Sequence, residues 1–279
     1  MTPARALLES VWRRTPGRIG LIILCAVVVA AVAGPLVLPS PVEQPDIEHG
    51  GRPPSLAHPM GTDQLSRDVL ARVAGGARVS LSVAAIAVAM SITLGALVGL
   101  VSGYHGGAVD AVLMRLVDAA LAIPRLFLLL LLLALWERIP LAAFILVVGA
   151  TGWFGTSRLV RAEVLHLRES EYVLAARALG GGAGRIMFQH LLPNAIGPLL
   201  VAATLGVGEV ILLEAGLSFL GLGIQPPTPS WGGMIFDARE VLVSAPWASV
   251  FPALAIALTV LSANLVGDAL RDAVDPRSA

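Results

Sequence analysis

Between Ile19 and Pro39 the chain carries no charged residue, and apolar runs of similar length return up to Gly267. A helix needs about 20 such residues to cross roughly 30 Å of hydrocarbon. Backbone in lipid must also satisfy its own hydrogen bonds, which leaves helices and closed barrels as the available folds. A barrel would show short alternating segments, and these runs are long and continuous. The chain therefore reads as an all-α integral membrane protein. Composition agrees, with 56% hydrophobic and 14% charged residues and a mean hydropathy of +0.82, far from the balance of a soluble domain.

The arginines set the orientation. Arg5, Arg13, Arg14 and Arg18 precede the first run, so residues 1–18 are expected in the cytoplasm by the positive-inside rule. The run at 19–39 exceeds the apolar core of a cleaved signal peptide and reads as the first transmembrane helix. Residues 40–78 read as an extracytoplasmic loop, rich at first in Pro, Gly and the acidic Glu43, Asp46 and Glu48. Within it, Thr62 or Asp63 is expected to cap an amphipathic surface helix bearing Leu65, Val69 and Val73, with Asp68 and Arg72 paired on its polar face. Residues 79–270 read as a core of five spans, at about 79–104, 111–135, 139–157, 195–213 and 243–267, and 271–279 as a cytoplasmic tail that includes Asp275 and Arg277. Trp136 to Arg138 would form a tight turn, and Ser230 would cap a short helix from Trp231 to about Val241. Six spans put both termini inside.

Several chemistries are excluded outright. All 19 basic residues are Arg, so the chain holds no P-loop lysine, Schiff-base lysine or Ser-Lys dyad. Any ATP hydrolysis must belong to a partner. The one cysteine, Cys25, lies in an apolar run and is expected to pack inertly. The histidines, His49, His58, His105, His166 and His190, are scattered without metal-ligand spacing or an acid-base cluster. Asp63 and Asp68 have no nucleophile motif beside them, so a membrane enzyme is disfavoured and no catalytic or metal site is assigned.

Charges inside the spans are the exceptions that matter. Asp118 and Arg125 fall in the third span seven residues apart, two helical turns on one face, with Pro124 expected to kink the helix. Each ionised group would cost about 2.5–3.5 kcal/mol at the bilayer centre, so both should face protein or water. Glu209 falls deep in the fifth span, and Glu214 one turn further out is expected at the interface. Asp118, Arg125 and Glu209 are the candidates for a translocation path. In the second span Ser91, Gly95, Gly99 and Gly103 recur every four residues, a small-residue face for close helix packing.

The longest arginine-bearing interruption runs from Leu165 to Pro193. It reads as a helix over 171–179, a glycine turn at Gly180 to Gly182, a second helix over 184–192, and a break at Pro193 before the fifth span. With Arg158, Arg161, Arg168, Arg177 and Arg185 nearby it belongs on the cytoplasmic side. The glycines without lysine or a preceding strand do not make a phosphate cradle.

Leu174-Ala175-Ala176, Gly180 four residues later, and Leu192-Pro193 thirteen beyond that resemble the EAA loop of binding-protein-dependent ABC importer permeases. The general pattern has Glu and Ile where this chain has Leu174 and His190, but E-Y-V-L-A-A-R-A-L-G and H-L-L-P-N-A are similar to the dipeptide, oligopeptide and nickel subgroup. G-T-D-Q-L-S-R-D at 61–68, L-S-F-L-G-L-G-I-Q-P-P-T-P-S-W-G at 217–232 and G-D-A-L-R-D-A-V-D-P-R at 267–277 extend the likeness over nearly the whole chain. The resemblance points to the second permease subunit, of MetI-like type I importer architecture. It implies a heterodimeric partner permease, two ATPase subunits that bind ATP and Mg, and an external solute-binding protein, in a bacterial inner membrane, with no cofactor in this chain and no nucleic acid. The ATPase-coupling residues it implies are Glu171, Leu174, Ala175, Ala176, Arg177, Gly180, His190, Leu192 and Pro193. Peptide is preferred over nickel as substrate, His49 and His58 being weak ligands nine apart in a loop. A secondary transporter using Asp118, Arg125 and Glu209 as ion sites is the less favoured alternative.

Overall fold

The computed structural model describes residues 3–38 and 50–274. Glu43, Asp46, Glu48, His49, Asp275 and Arg277 lie outside the described residues. Among those described, there is no strand, and the helices are α1 (Pro3–Arg13), α2 (Thr15–Val37), α3 (Val69–His105), α4 (Gly107–Leu121), α5 (Arg125–Leu133), α6 (Leu141–Ala150), α7 (Trp153–Leu167), α8 (Glu171–Ala178), α9 (Ala183–Arg185), α10 (Leu192–Phe219), α11 (Trp231–Ala238) and α12 (Trp247–Val274). Five segments among the described residues are long and apolar enough to cross a membrane, and α4 with α5 supplies a sixth if that bent pair counts as one span.

Helix α3 is the centre of the bundle. It contacts α2, α6, α7 and α10, and its pairing with α7 is the most extensive in the protein. The small-residue face explains the intimacy. A Cβ built on Gly95 would lie 2.5 Å from the Thr156 Cβ, one on Gly99 2.5 Å from the Ser157 carbonyl, and one on Gly103 2.8 Å from Val164. Ser91 donates to the Gly149 carbonyl at 2.9 Å. Of three apolar clusters among the described residues, two are the larger. One joins Val83, Leu129, Phe144, Ile211 and Trp231, and the other joins Leu100, Val160, Val164, Val173, Ile186 and Leu191.

Several sequence expectations need correction. No surface helix starts at Thr62 or Asp63; α3 itself begins at Val69 and is capped by Asp68, whose Oδ1 accepts from the Ala71 amide at 2.9 Å. The preceding G-T-D-Q-L-S-R segment folds back instead, with Val69 N–H donating to the Gly61 carbonyl and Asp63 N–H to that of Arg67. Asp118 and Arg125 do not share a helix face, because Ala122 to Pro124 separate α4 from α5 and the axes meet at 79°. Proline cannot supply the missing amide, and its preceding residue is pushed out of the helical region. Pro193 does not end the hairpin's second arm: α9 runs through a wide turn at Ile186–Leu191 into α10, one helical segment from Ala183 to Phe219. There Leu192 N–H donates five residues back, to Met187. This wider π-type turn gives the proline ring room beside the carbonyl it would otherwise strike. Finally, Cys25 is exposed on α2 and not packed inside.

Boundaries shift as well: α12 absorbs Arg271 and Asp272 from the expected tail, and the fourth span extends through α7 to Leu167. Ser230 caps α11, accepting from Gly233 N–H at 3.1 Å, and a tight 3-10 turn continues to Val241.

Candidate functional site

Three clusters of polar groups interrupt the apolar bundle. The first lies between α5 and α10. The break at Pro124 starts α5 at Arg125, whose guanidinium donates to Glu209 Oε1 of α10 at 2.6 Å and to the Val148 carbonyl of α6 at 3.0 Å. Only two of the five guanidinium N–H groups are used by these bonds, and Nε has no partner among the described residues. The Glu209 side chain is 64% exposed although it stands well inside a span. Both charges border a cavity of about 440 Å³ whose remaining walls come from the α4–α5 break, α7 and α10, with Pro124, Gly152, Thr156 and Gly206 among them. Asp118 does not join this pair. It meets Arg158 of α7 in an exposed contact.

The second cluster is at the end of the bundle where α3 begins. The Asp63 carboxylate accepts from the Leu65 and Arg67 amides at 2.9 Å each, from Arg67 Nε at 2.7 Å and from Arg72 at 2.6 Å. Arg72, only 6% exposed, reaches on to Asp237 of α11 at 3.0 Å. Gln64 donates to the Asp237 carbonyl, and Trp247 of α12 donates to the Thr62 carbonyl. Asp68 pairs with His58 at 2.8 Å and not with Arg72 as expected. Deeper still, Glu214 is 1% exposed, so it is not interfacial. Ser218 and Ser230 each donate to its Oε1 at 2.8 Å and Ser80 to Oε2 at 3.2 Å. These bonds tie α3, α10 and the cap of α11 together.

The third is the hairpin. Helix α8 ends in a Schellman arrangement, with Gly180 N–H donating to Arg177 O and Gly181 N–H to Ala176 O, both at 2.9 Å. This needs a left-handed residue between them, and Gly180 supplies φ +81°. Val173, Ile186 and Leu191 anchor the hairpin inward. The opposite side exposes Tyr172, Leu174, Phe188 and Leu179, the last at 88%. Glu171, Ala175, Arg177 and Pro193 are exposed too, and Ala176, His190 and Leu192 are half-buried. The Arg177 guanidinium sits 5.1 Å from the Tyr104 ring centre, and Tyr172 and His190 rings lie 6.4 Å apart. At the same end, Arg161 clamps Asp110 through two bonds of 2.5 and 2.6 Å, bracing α4 on α7.

Sequence reasoning missed Ser80, Asp110, Glu214 as a buried group, and Asp237. Each has a partner 51 to 165 residues away along the chain, Ser80 with Glu214, Asp110 with Arg161 and Asp237 with Arg72, beyond any local spacing rule. Local signals existed for Asp63, since a D-x-x-S-R turn offers amides to its own carboxylate, and for Glu214, whose Ser218 partner is one helical turn on.

Residues 79–279 match the family model of the binding-protein-dependent transport system inner membrane component. The chain is similar to the dipeptide transport system permease protein DppC of Alkalihalophilus pseudofirmus, 39% identical over 99% of this chain and 91% of the relative. It is also similar to the oligopeptide transport system permease protein OppC of Bacillus subtilis, 39% identical over 93% of this chain and 85% of the relative. The dipeptide permease DppC of Haemophilus influenzae is 38% identical over 93% and 90% of the two chains.

Proposed function

Because the chain belongs to the family of binding-protein-dependent transport inner membrane components, we propose that it forms half of the path of an ATP-driven importer of di- or oligopeptides, worked from the cytoplasm through the hairpin at 165–193. The observation that carries this reading is the exposed Glu209 beside Arg125 within the membrane-spanning region. A carboxylate so exposed cannot face hydrocarbon. Its cavity therefore faces water, and a second permease subunit closes it from the open side.

The hairpin supplies the drive. An apolar patch of Tyr172, Leu174, Leu179 and Phe188 on a water-facing segment is a surface for another protein, here one of two ATPase subunits. Those subunits hold ATP and Mg, since this lysine-free chain has no phosphate-binding motif. When they close, the load enters at α8 and passes through α9 and the wide turn directly into α10, which carries Glu209. Glu171, Leu174, Ala175, Ala176, Arg177 and Gly180 make the contact arm, and His190, Leu192 and Pro193 the joint to α10. The cluster around Asp63 and Arg72 faces outward, where an external binding protein releases substrate. Arginines before α2 and around α8 support cytoplasmic termini in a bacterial inner membrane.

The peptide names of the relatives favour peptide over nickel, and His58 is already engaged by Asp68. Reconstitution with the partner subunits tests the whole reading. Uptake of labelled dipeptide should require ATP and the binding protein, and uptake by this chain alone in ATP-free vesicles would refute it in favour of a secondary transporter.

A further inference from the structure

Arg125 and Glu209 are opposite charges, hydrogen-bonded to one another, on the wall of an otherwise uncharged cavity. We propose that this pair is a zwitterion-exchange site: the free carboxylate of a peptide in transit takes the place of Glu209 on Arg125, and its free ammonium takes the place of Arg125 on Glu209. This rests on the peptide importer reading above.

Three features support it. The guanidinium has N–H groups left over after its bonds to Glu209 and Val148, so it accepts a second oxyanion without first losing both partners. Glu209 is held by one hydrogen bond and is otherwise open to the cavity, so it separates from Arg125 at the cost of that bond alone. The walls nearest the pair are small or apolar, among them Gly152, Gly206 and Leu128, and offer no competing charge. A structural brace would instead be enclosed on all sides, as Glu214 is by its three serines.

The exchange also explains how an apolar passage carries both ends of a dipeptide. With the cavity empty, the two charges neutralise each other. With a zwitterion present, two new ion pairs replace one, and net charge stays zero throughout. A ligand with one charge would leave either Arg125 or Glu209 without its partner, which is least tolerable for Arg125, only 24% exposed. The site therefore selects for molecules that bear both a carboxylate and an ammonium group.

The complete importer in proteoliposomes tests the idea, with radiolabelled alanyl-alanine as probe and saturating liganded binding protein. Arg125→Gln and Glu209→Gln should each lower uptake at least about tenfold, the value of one charge-assisted bond, while binding-protein-stimulated ATP hydrolysis stays at the wild-type rate. The Arg125→Gln/Glu209→Gln importer should be no better than either single variant. Recovery of uptake in that double variant overturns the site, because the two groups would then serve only to neutralise one another. Parallel loss of uptake and ATP hydrolysis also overturns it, as the mark of a brace. If Arg125→Gln fails to assemble, Glu209→Gln against Glu209→Asp decides: Asp should retain part of the uptake that Gln loses, and equal rates refute the site. A wild-type importer that hydrolyses ATP yet moves no dipeptide refutes the peptide reading itself, whereas wild-type uptake with insensitive variants refutes only the exchange.

Discussion

Changing Asp63 to Asn removes one charge and leaves the shape of the loop before α3 almost untouched. Asn can still accept from the Leu65 and Arg67 amides, so the effect isolates the carboxylate's bonds to Arg67 and Arg72. Arg72 is 6% exposed and Arg67 14%, so neither guanidinium recovers full hydration when its partner is lost. Stranding a buried charge costs about 3–5 kcal/mol. Asp237 remains 3.0 Å from Arg72 and 3.6 Å from Arg67, which places the expected loss near the lower end, about 3 kcal/mol. At about 2–4 °C per kcal/mol the melting temperature of the detergent-purified protein should fall by roughly 6–12 °C. Asp237→Asn measured alone and together with Asp63→Asn completes the cycle. Since both carboxylates serve the same two arginines, the double variant should lose more than the sum of the singles. A loss below about 1 kcal/mol for Asp63→Asn, the size seen for solvent-exposed pairs, or strict additivity in the cycle, would refute the claim that this cluster is a desolvated clip between α3 and α11.

Gly99→Ala drives a methyl to 2.5 Å from the Ser157 carbonyl and should cost about 1–3 kcal/mol by forcing α3 from α7, read as a lower melting temperature; an unchanged value would mean that the helices can separate freely. Gly180→Ala meets no atom within 4 Å but must hold φ +81°, a strain of about 1–2 kcal/mol confined to the hairpin. Membrane insertion should be normal while co-purification of the ATPase subunits weakens, and normal uptake would count against the coupling role. Glu214→Leu strands the hydroxyls of Ser80, Ser218 and Ser230 at about 1–3 kcal/mol for each one left unsatisfied, whereas Glu214→Gln keeps an acceptor and should unfold at a higher temperature than Glu214→Leu. Equal melting of the two would show that the serines find other partners.

The apolar run that forms α2 was readable because lipid constrains every residue of a span at once. Ser230 as a cap was readable for a related reason, since its partner is only three residues away. Asp118 and Arg125 misled because spacing fixes a shared face only if the helix survives between them, and Pro124 ends it. Pro193 misled in the opposite direction: the wide turn before it absorbs the ring, so a residue that usually stops a helix sits inside one. Glu214 was invisible as a buried group because two of its three serines arrive from distant segments, Ser80 on α3 and Ser230 beyond α10. The pairing of Arg125 with Glu209 spans 84 residues, and nothing in either local sequence announces it.

The unbroken passage from Ala183 to Phe219 has a mechanical corollary. Gly197 sits against Val274 of α12 so tightly that a Cβ there would come within 2.5 Å of a methyl carbon, which makes this crossing a natural fulcrum. Glu209 lies twelve residues beyond it, a lever arm of roughly 18 Å at 1.5 Å per residue. Tilting the rod by about 10° at that fulcrum sweeps Glu209 through about 3 Å, more than the 2.6 Å that joins it to Arg125. A modest rocking of the arm that begins at Ala183 would thus be enough to unlatch the two charges, so that the rod turns a small tilt at one end into a switch at the other.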